Sequence, residues 1–341
     1  MNKLRYAEKN YLSNYELSLE FFNELDIKVN DITPLRKVFL LKTDDGNKIL
    51  KRVDYQEDRL KFINNTINEI GKDFKNIIRF SEFKNGKTYL FWKGSYYIVM
   101  DLIQGREASF TNPLELNMCA KTLAQMHLAS RKVIDKNNLI NKIDVSFGDK
   151  LFKALKELEV IETLIEKFKF KNSFDNIIYE NINNYIEQIR YVKKALKESS
   201  YDEYRSEFKN VVICHNDLAE HNFIYSKNEM YLIDFDYSSV DLRIMDIADI
   251  ILKGIKNAAF DIDKSIDLIE TYDSIYAIEE EEYKLIYILL AFPRDICALA
   301  RSYYFKQKNW EYEVFLNRLK TKVENDKFRL EFLNKFKDKF L

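Results

Sequence analysis

ICHNDLAEHNFIYSKNEMYLIDFDYSS, residues 213–239, sets three Asp, two Glu, two His and three Asn around two strand-like apolar runs. A buried strand ordinarily excludes carboxylates, because an unpaired buried charge is strongly destabilising or shifts its pKa until it neutralises. These acids are therefore paired within the protein, or they hold something cationic. Their spacing is His215-x-Asp217-x-x-x-x-Asn222, with Asp234 twelve residues further on. Phosphoryl transfer needs a carboxylate to orient an acceptor hydroxyl and take its proton, and hard oxygen ligands for the Mg²⁺ that neutralises ATP phosphates. Asp217 suits the first task, and Asn222 and Asp234 suit the second. Four intervening residues let the chain wrap back so that Asp217 and Asn222 face one cleft, and the run Met230 to Ile233 predicts the strand that delivers Asp234.

Outward from this stretch the chain changes character twice. Leu17, Phe21, Phe22 and Leu25 recur at helical spacing and predict an opening helix over 11–25. Ile27–Ile32, Val38–Thr43 and Lys48–Val53 read as strands, the last two joined across Asp44-Asp45-Gly46-Asn47, a hairpin signal. A helix follows over Asp54–Ile70, with Leu60, Ile63, Ile67 and Ile70 on one face and Gly71 just past its end. Ile77–Phe83, Thr88–Lys93 and Tyr96–Leu102 return to strand character, so an antiparallel sheet of five or six strands is expected with one helix inserted. Beyond Gly105 the pattern is helical, notably over 117–130 and 149–199, apart from 211–236. The expectation is α+β: a small antiparallel β lobe over 1–102, led by a helix, and a larger mainly α-helical lobe over 103–341 that carries the 213–239 loop.

Bulk properties narrow the function. Lys and Arg number 54 against 55 Asp and Glu, a balance that excludes a protein built to coat nucleic acid. Cys119, Cys214 and Cys297 are odd in number and lack CxxC spacing, so neither a disulfide scaffold nor a zinc site is expected, and a reducing compartment is. The first residues lack the apolar core of a signal peptide, and no window approaches 18 uncharged apolar residues, so no membrane span is expected and the reading is cytoplasmic.

HxDxxxxN followed by Ile233-Asp-Phe-Asp236 resembles the kinase-like fold shared by protein kinases, aminoglycoside phosphotransferases and choline kinases. The wording Asp234-Phe-Asp-Tyr-Ser-Ser239, with Arg243 and Asp246-Ile-Ala248, is similar to choline and ethanolamine kinases. Asn216-Asp-Leu-Ala-Glu-His-Asn222, the Asp236-Tyr237 pair, Phe292-Pro293 and the later Tyr303-Tyr304 and Trp310 resemble the CotS spore-coat branch, over roughly residues 15–325. The resemblance implies a bilobal protein-kinase-like fold with ATP and Mg²⁺ as cofactors. Lys51 would contact the α/β-phosphates, with Glu69 at the nearest spacing for its helix partner. The run Met100-Asp101-Leu102 would be the inter-lobe hinge that meets adenine. Asp246 and His215 would brace the catalytic loop. It also implies a place in the mother-cell cytoplasm and then the spore coat, with coat proteins as partners.

Two departures bear on function. Pro34-Leu-Arg-Lys-Val38, where a phosphate loop belongs, contains no Gly, so amides there approach phosphate less closely. Either nucleotide binding is weaker or Arg36 and Lys37 substitute. Only eleven residues separate Asp234 from Asp246, no Ala-Pro-Glu follows, and position 219 is Ala. That leaves no room for a segment that docks a protein substrate, which favours a small-molecule acceptor with a hydroxyl. Two readings stay open, an active phosphotransferase of choline or aminoglycoside kinase type and an inactive kinase-fold structural protein of the coat. His127 reads as a core or groove histidine, His221 as loop packing and Cys214 as a small buried hydrophobe. Glu279–Glu282 reads as a helix start, and Asp236 equally as a metal or acceptor contact and as structural hydrogen bonding.

Overall fold

A computed structural model describes residues 17–25, 27–35, 38–83, 85–137 and 145–341. Arg36 and Lys37, the candidate substitutes for a glycine loop, lie outside the described residues, as do residues 11–16 of the predicted opening helix. The fold is α+β and kinase-like, and the chain divides into two compact units.

The first unit holds the described residues up to Ala108 together with Glu220–Tyr237. Helix α1 (Leu19–Glu24) starts on the Ser18 side chain, which accepts from the Phe21 amide. It buries Phe21, and Leu25 behind it, against Phe39, Leu41, Leu50, Tyr97 and Val99. Those residues alternate along β2 (Val38–Thr43), β3 (Gly46–Val53) and β5 (Ser95–Asp101), so every second side chain faces this core. With β1 (Val29–Leu35) and β4 (Leu90–Trp92) the strands form one antiparallel sheet in the order β1-β2-β3-β5-β4. Gly46 takes a positive φ of 108° where β3 leaves its turn, the conformation Gly adopts without strain. Lys93-Gly94 closes β4 onto β5 with both φ angles positive, the mirror-image turn that suits strand twist.

Helix α2 (Glu57–Asp73) follows β3 and buries Leu60, Ile63, Ile67 and Ile70, as the spacing predicts. Two expectations need correction. Gly71 lies inside the last turn of α2 rather than past it. An added Cβ there would stand 2.6 Å from the Arg79 guanidinium, which donates to the Gly71 carbonyl. Ile77–Phe83 is not a strand of the sheet. Its start exchanges bonds with the strand Glu229–Leu232, Ile78 N to Leu232 O at 3.2 Å and Leu232 N to Asn76 O at 2.9 Å. Its end turns to β5 through Ser81 N to Val99 O at 2.7 Å. Shared between two sheets, the segment makes single bridges instead of a ladder.

The smaller sheet of this unit is β6-β8-β9, from β6 (Arg106–Glu107), β8 (Phe223–Ser226) and β9 (Glu229–Leu232). Linear division at residue 102 would give the β8–β9 hairpin to the helical lobe. Its pairing with β6 and with the 76–78 segment packs it in the first unit instead.

The second unit, Ser109–Ala219 with Ser238–Leu341, is helical around one small sheet, β7 (Val211–Cys214) paired antiparallel with β10 (Ser239–Leu242). Its helices are α3 (Pro113–Asn137), α4 (Phe147–Glu166), α5 (Ser173–Glu198), α6 (Tyr201–Ser206), α7 (Ile244–Ile255), α8 (Ile262–Asp273), α9 (Glu280–Ala291), α10 (Arg294–Tyr304) and α11 (Tyr312–Phe340). The helical run expected over 149–199 is broken where Asn172 and Asp175 form a capping box that starts α5. Glu279 and Glu282 likewise cap α9, and buried Glu282 also receives Arg243 Nε at 2.7 Å. All three cysteines are free and buried in this unit. Among the described residues no helix is long and apolar enough to cross a membrane.

Candidate active site

The first unit supplies one half of the predicted residue set. Strand β3 is central in its sheet, with Lys51 opposite Val38 on one side and Ile98 on the other. The Lys51 ammonium lies 2.8 Å from Asp234 Oδ1 and 2.6 Å from Asp236 Oδ2. Burial works against this ammonium, but Asp236 and Asp234 outweigh it and hold its pKa above the ordinary lysine value. Burial raises the Asp236 carboxyl; Lys51 opposes that rise and Asp234 adds to it. Asp236 is tied further by the Tyr55 hydroxyl, which donates to Oδ1 at 3.1 Å, and by Arg59, which donates to its carbonyl at 2.9 Å.

The hairpin β8–β9 explains why Asn222 and Asp234 are neighbours. Lys227 and Asn228 form a two-residue turn with positive φ at both, the geometry that matches strand twist, and Phe223 is paired with Leu232. One residue beyond that pair, Ile233 N donates to Asn222 O at 2.9 Å. Asp234 follows with φ 64°, an unusual value for a side-chain-bearing residue but one that Asp tolerates better than most. A 3-10 turn over Phe235–Tyr237 then carries Asp236 back to Lys51. Asn222 is 1% exposed.

Glu69 and the hinge residues have further partners of their own. Glu69 pairs with Lys72 three residues on, whereas Lys51 takes Asp234 and Asp236. Met100 and Asp101 end β5, and Leu102 follows it. Asp101 receives Lys48 at 2.6 Å, and the Leu102 amide donates to the Asn47 carbonyl at 3.0 Å.

The second unit holds the other half. Strand β7 ends at Cys214, and the loop that follows is fastened by one face of α7. Asp246 Oδ2 accepts from the His215 amide at 2.6 Å and Oδ1 from the Asn216 amide at 2.8 Å. Asp249, one turn on, accepts from the Leu218 amide at 3.1 Å. Lys253, a further turn on, donates to Asp217 Oδ1 at 2.8 Å and lies 3.0 Å from Asp249. Residues i, i+3 and i+7 share a helix face, so this single helix holds the loop backbone and the Asp217 carboxylate together. His215 Nδ1 accepts from the Asp217 amide at 3.3 Å. Buried His127 bridges the Tyr272 hydroxyl at 2.7 Å and Asp246 at 3.0 Å. Burial lowers its pKa, and the pull of Asp246 does not reverse this, so the imidazole is neutral at ordinary pH. His127 is thus a support for the brace.

Sequence reading missed Asp249, Lys253 and the Lys51 pairing of Asp236. The signal was present for two of them: Asp246, Asp249 and Lys253 are spaced as one face of a helix.

The fold defines the class: the chain is kinase-like. The chain belongs to the family described as "Spore coat putative kinase YutH", whose model matches residues 22–336. It is 24% identical over 308 residues to spore coat protein S of Bacillus subtilis (strain 168), covering 88% of this chain and 86% of that protein. Among solved structures it is similar to an aminoglycoside phosphotransferase from Alicyclobacillus acidocaldarius subsp. acidocaldarius DSM 446, with 16% identity, 95% of this chain and 96% of that chain covered, and a TM-score of 0.82. Spectinomycin phosphotransferase APH(9)-Ia, solved with ADP and spectinomycin, matches with 15% identity, 91% and 94% coverage and a TM-score of 0.65. Choline kinases are also among the solved structures it resembles. At these identities the structural likeness speaks for the fold alone.

Proposed function

We propose that this chain is an ATP- and Mg²⁺-dependent phosphotransferase of the spore coat that acts on the hydroxyl of a small molecule. The observation that carries the proposal is the Lys51 group. One ammonium draws two carboxylates, Asp234 and Asp236, to one place, at 2.8 and 2.6 Å, and so gathers oxygen donors of the kind a bound cation would take. The carboxylate of Asp234 and the amide oxygen of Asn222 are hard donors of the type Mg²⁺ prefers. Bound there, Mg²⁺ would supply charge neutralisation for the ATP phosphates. Lys51 would steady the α/β-phosphates, and the β5 end at Met100–Leu102 would meet adenine. In the second unit, Asp217 would orient the acceptor hydroxyl and take its proton as the oxygen bonds to the γ-phosphorus and the bond to ADP breaks. His215 and Asp246 position that loop. Spore coat protein S and the family description support a place in the coat, with coat proteins as partners.

The glycine-free stretch Pro34–Val38 favours the second reading, a coat protein that keeps the fold without turnover. Thermal unfolding of the full chain with and without Mg·ATP separates the two. A ligand at about 100 times its Kd adds roughly 2.7 kcal/mol to the folded state, a shift of a few degrees. A Mg²⁺-dependent shift that disappears in Asp234→Asn is expected. No shift at millimolar nucleotide would refute the phosphotransferase reading.

A further inference from the structure

Within the second unit, a cavity of about 570 Å³ lies among the C-terminal end of α7, the Phe292–Ile296 turn and the middle of α11, a size that holds small molecules. Its wall carries charges of both signs, and they do not balance. Asp295 is taken by Lys322 at 2.7 Å and Asp326 by Arg329 at 2.8 Å. Arg294 is matched by Asp249 at 2.7 Å. That leaves Lys256 and Arg318. Among the described residues Lys256 forms no side-chain hydrogen bond or ion pair, and Arg318 lies over the Trp310 ring, 4.2 Å from its centroid. Burial lowers the Lys256 pKa; Asp295 opposes this, and Lys322, Arg294 and Lys253 add to it. A half-buried lysine among other cations is short of an anion.

The same helix reaches the 215–218 loop. Leu252 and Lys256 stand in the cavity wall, and Lys253 between them holds Asp217 at 2.8 Å. Asp217 is not itself in the wall, and its charge is already met by Lys253. A quaternary ammonium entering here would face Lys256 and Arg318 as like charges, with both wall carboxylates occupied.

Resting on the phosphotransferase reading above, we infer that the acceptor is a small hydroxylated anion, a phosphate monoester or hydroxy acid, whose negative group is held in this cavity by Lys256 and Arg318. Choline, after which the choline kinases this chain resembles are named, is a cation; the charge around α7 selects the opposite sign.

Isothermal titration of the full chain without nucleotide tests this, with glycerol 3-phosphate, glycerate and choline as probes. At least one of the two anions binds and choline does not. Lys256→Glu weakens the anion at least tenfold and Arg318→Ala severalfold, while Mg·ADP binding is unchanged in both. Arg318 is exposed, so its variant carries the test even where Lys256→Glu does not fold. Choline binding in place of both anions, or anion binding indifferent to both substitutions, overturns the inference. Failure of Mg·ADP to bind, with variant-sensitive anion binding retained, would remove the phosphotransferase reading and leave the anion site standing.

Discussion

Asp249 shows how much of the second unit rests on one carboxylate. It is nearly buried, and it joins Arg294 at 2.7 Å, Lys253 at 3.0 Å and the Leu218 amide at 3.1 Å. Burial alone would raise its pKa, but Arg294, Lys253 and the amide outweigh burial and hold it below the usual carboxylate range. A depressed folded pKa gives stability that is present above the unfolded value, about 3.9, and lost as pH falls through the folded value. Urea unfolding from pH 7 down to pH 2.5 should therefore show stability falling below about pH 4. Asp249→Asn should be less stable by about 3 kcal/mol at pH 7 and should fall less steeply in acid. An acid limb unchanged in the variant would contradict this account. At this scale the sequence was informative where chemistry constrains residue type. Asn222 and Asp234 were singled out by spacing and Lys51 by resemblance, and the structure brings Lys51 to Asp234 across 183 residues. For Glu69 the last turn of α2 adds Lys72 at i+3, a local partner that spacing to Lys51 does not reveal.

Turns decided how well the elements could be read. Val38–Thr43 matches β2, and β3 extends the predicted Lys48–Val53 back to Gly46, since Asp-Gly and the alternating apolar residues leave little freedom. Ile77–Phe83 failed because an apolar run does not say whether one neighbour or two will pair with it. Gly71 failed because a glycine near a helix end signals either a cap or a close approach, and here Arg79 makes the approach. Gly105, read only as the point beyond which the pattern turns helical, has the stronger constraint. An added Cβ would stand 2.4 Å from the Tyr225 carbonyl oxygen and 2.8 Å from Ile224 Cγ2. A backbone oxygen paired in the β6–β8 ladder cannot give way as an arginine tip can. Gly105→Ala should therefore cost about 1–3 kcal/mol, read as a lower Tm, whereas Gly71→Ala should cost less. Equal effects would mean that the small sheet yields as easily as a surface side chain.

For the whole molecule, the α+β class and the change from strand-rich to helical chain were visible in periodicity alone. The kinase-like fold came from resemblance, because periodicity does not say which distant segments meet. Glu220–Tyr237 makes the point: its residues read as two short strands, yet only the pairing of β8 with Arg106–Glu107 shows which unit they join. The three cysteines carry a separate consequence. Cys119, Cys214 and Cys297 all lie in the second unit, buried. Burial pushes the Cys214 thiol far up and the Cys297 thiol up to about 12. Since the thiolate is the reactive form, the native chain should resist iodoacetamide at neutral pH and incorporate it only as the second unit opens, faster with each increment of urea. Alkylation counted by mass spectrometry then becomes a clock for one half of the protein, silent to events confined to the other. Rapid labelling without denaturant would show that this half breathes on its own. In an oxidising extracellular shell the same sealing would keep the chain out of disulfide exchange, so any covalent attachment to its surroundings would have to use other side chains.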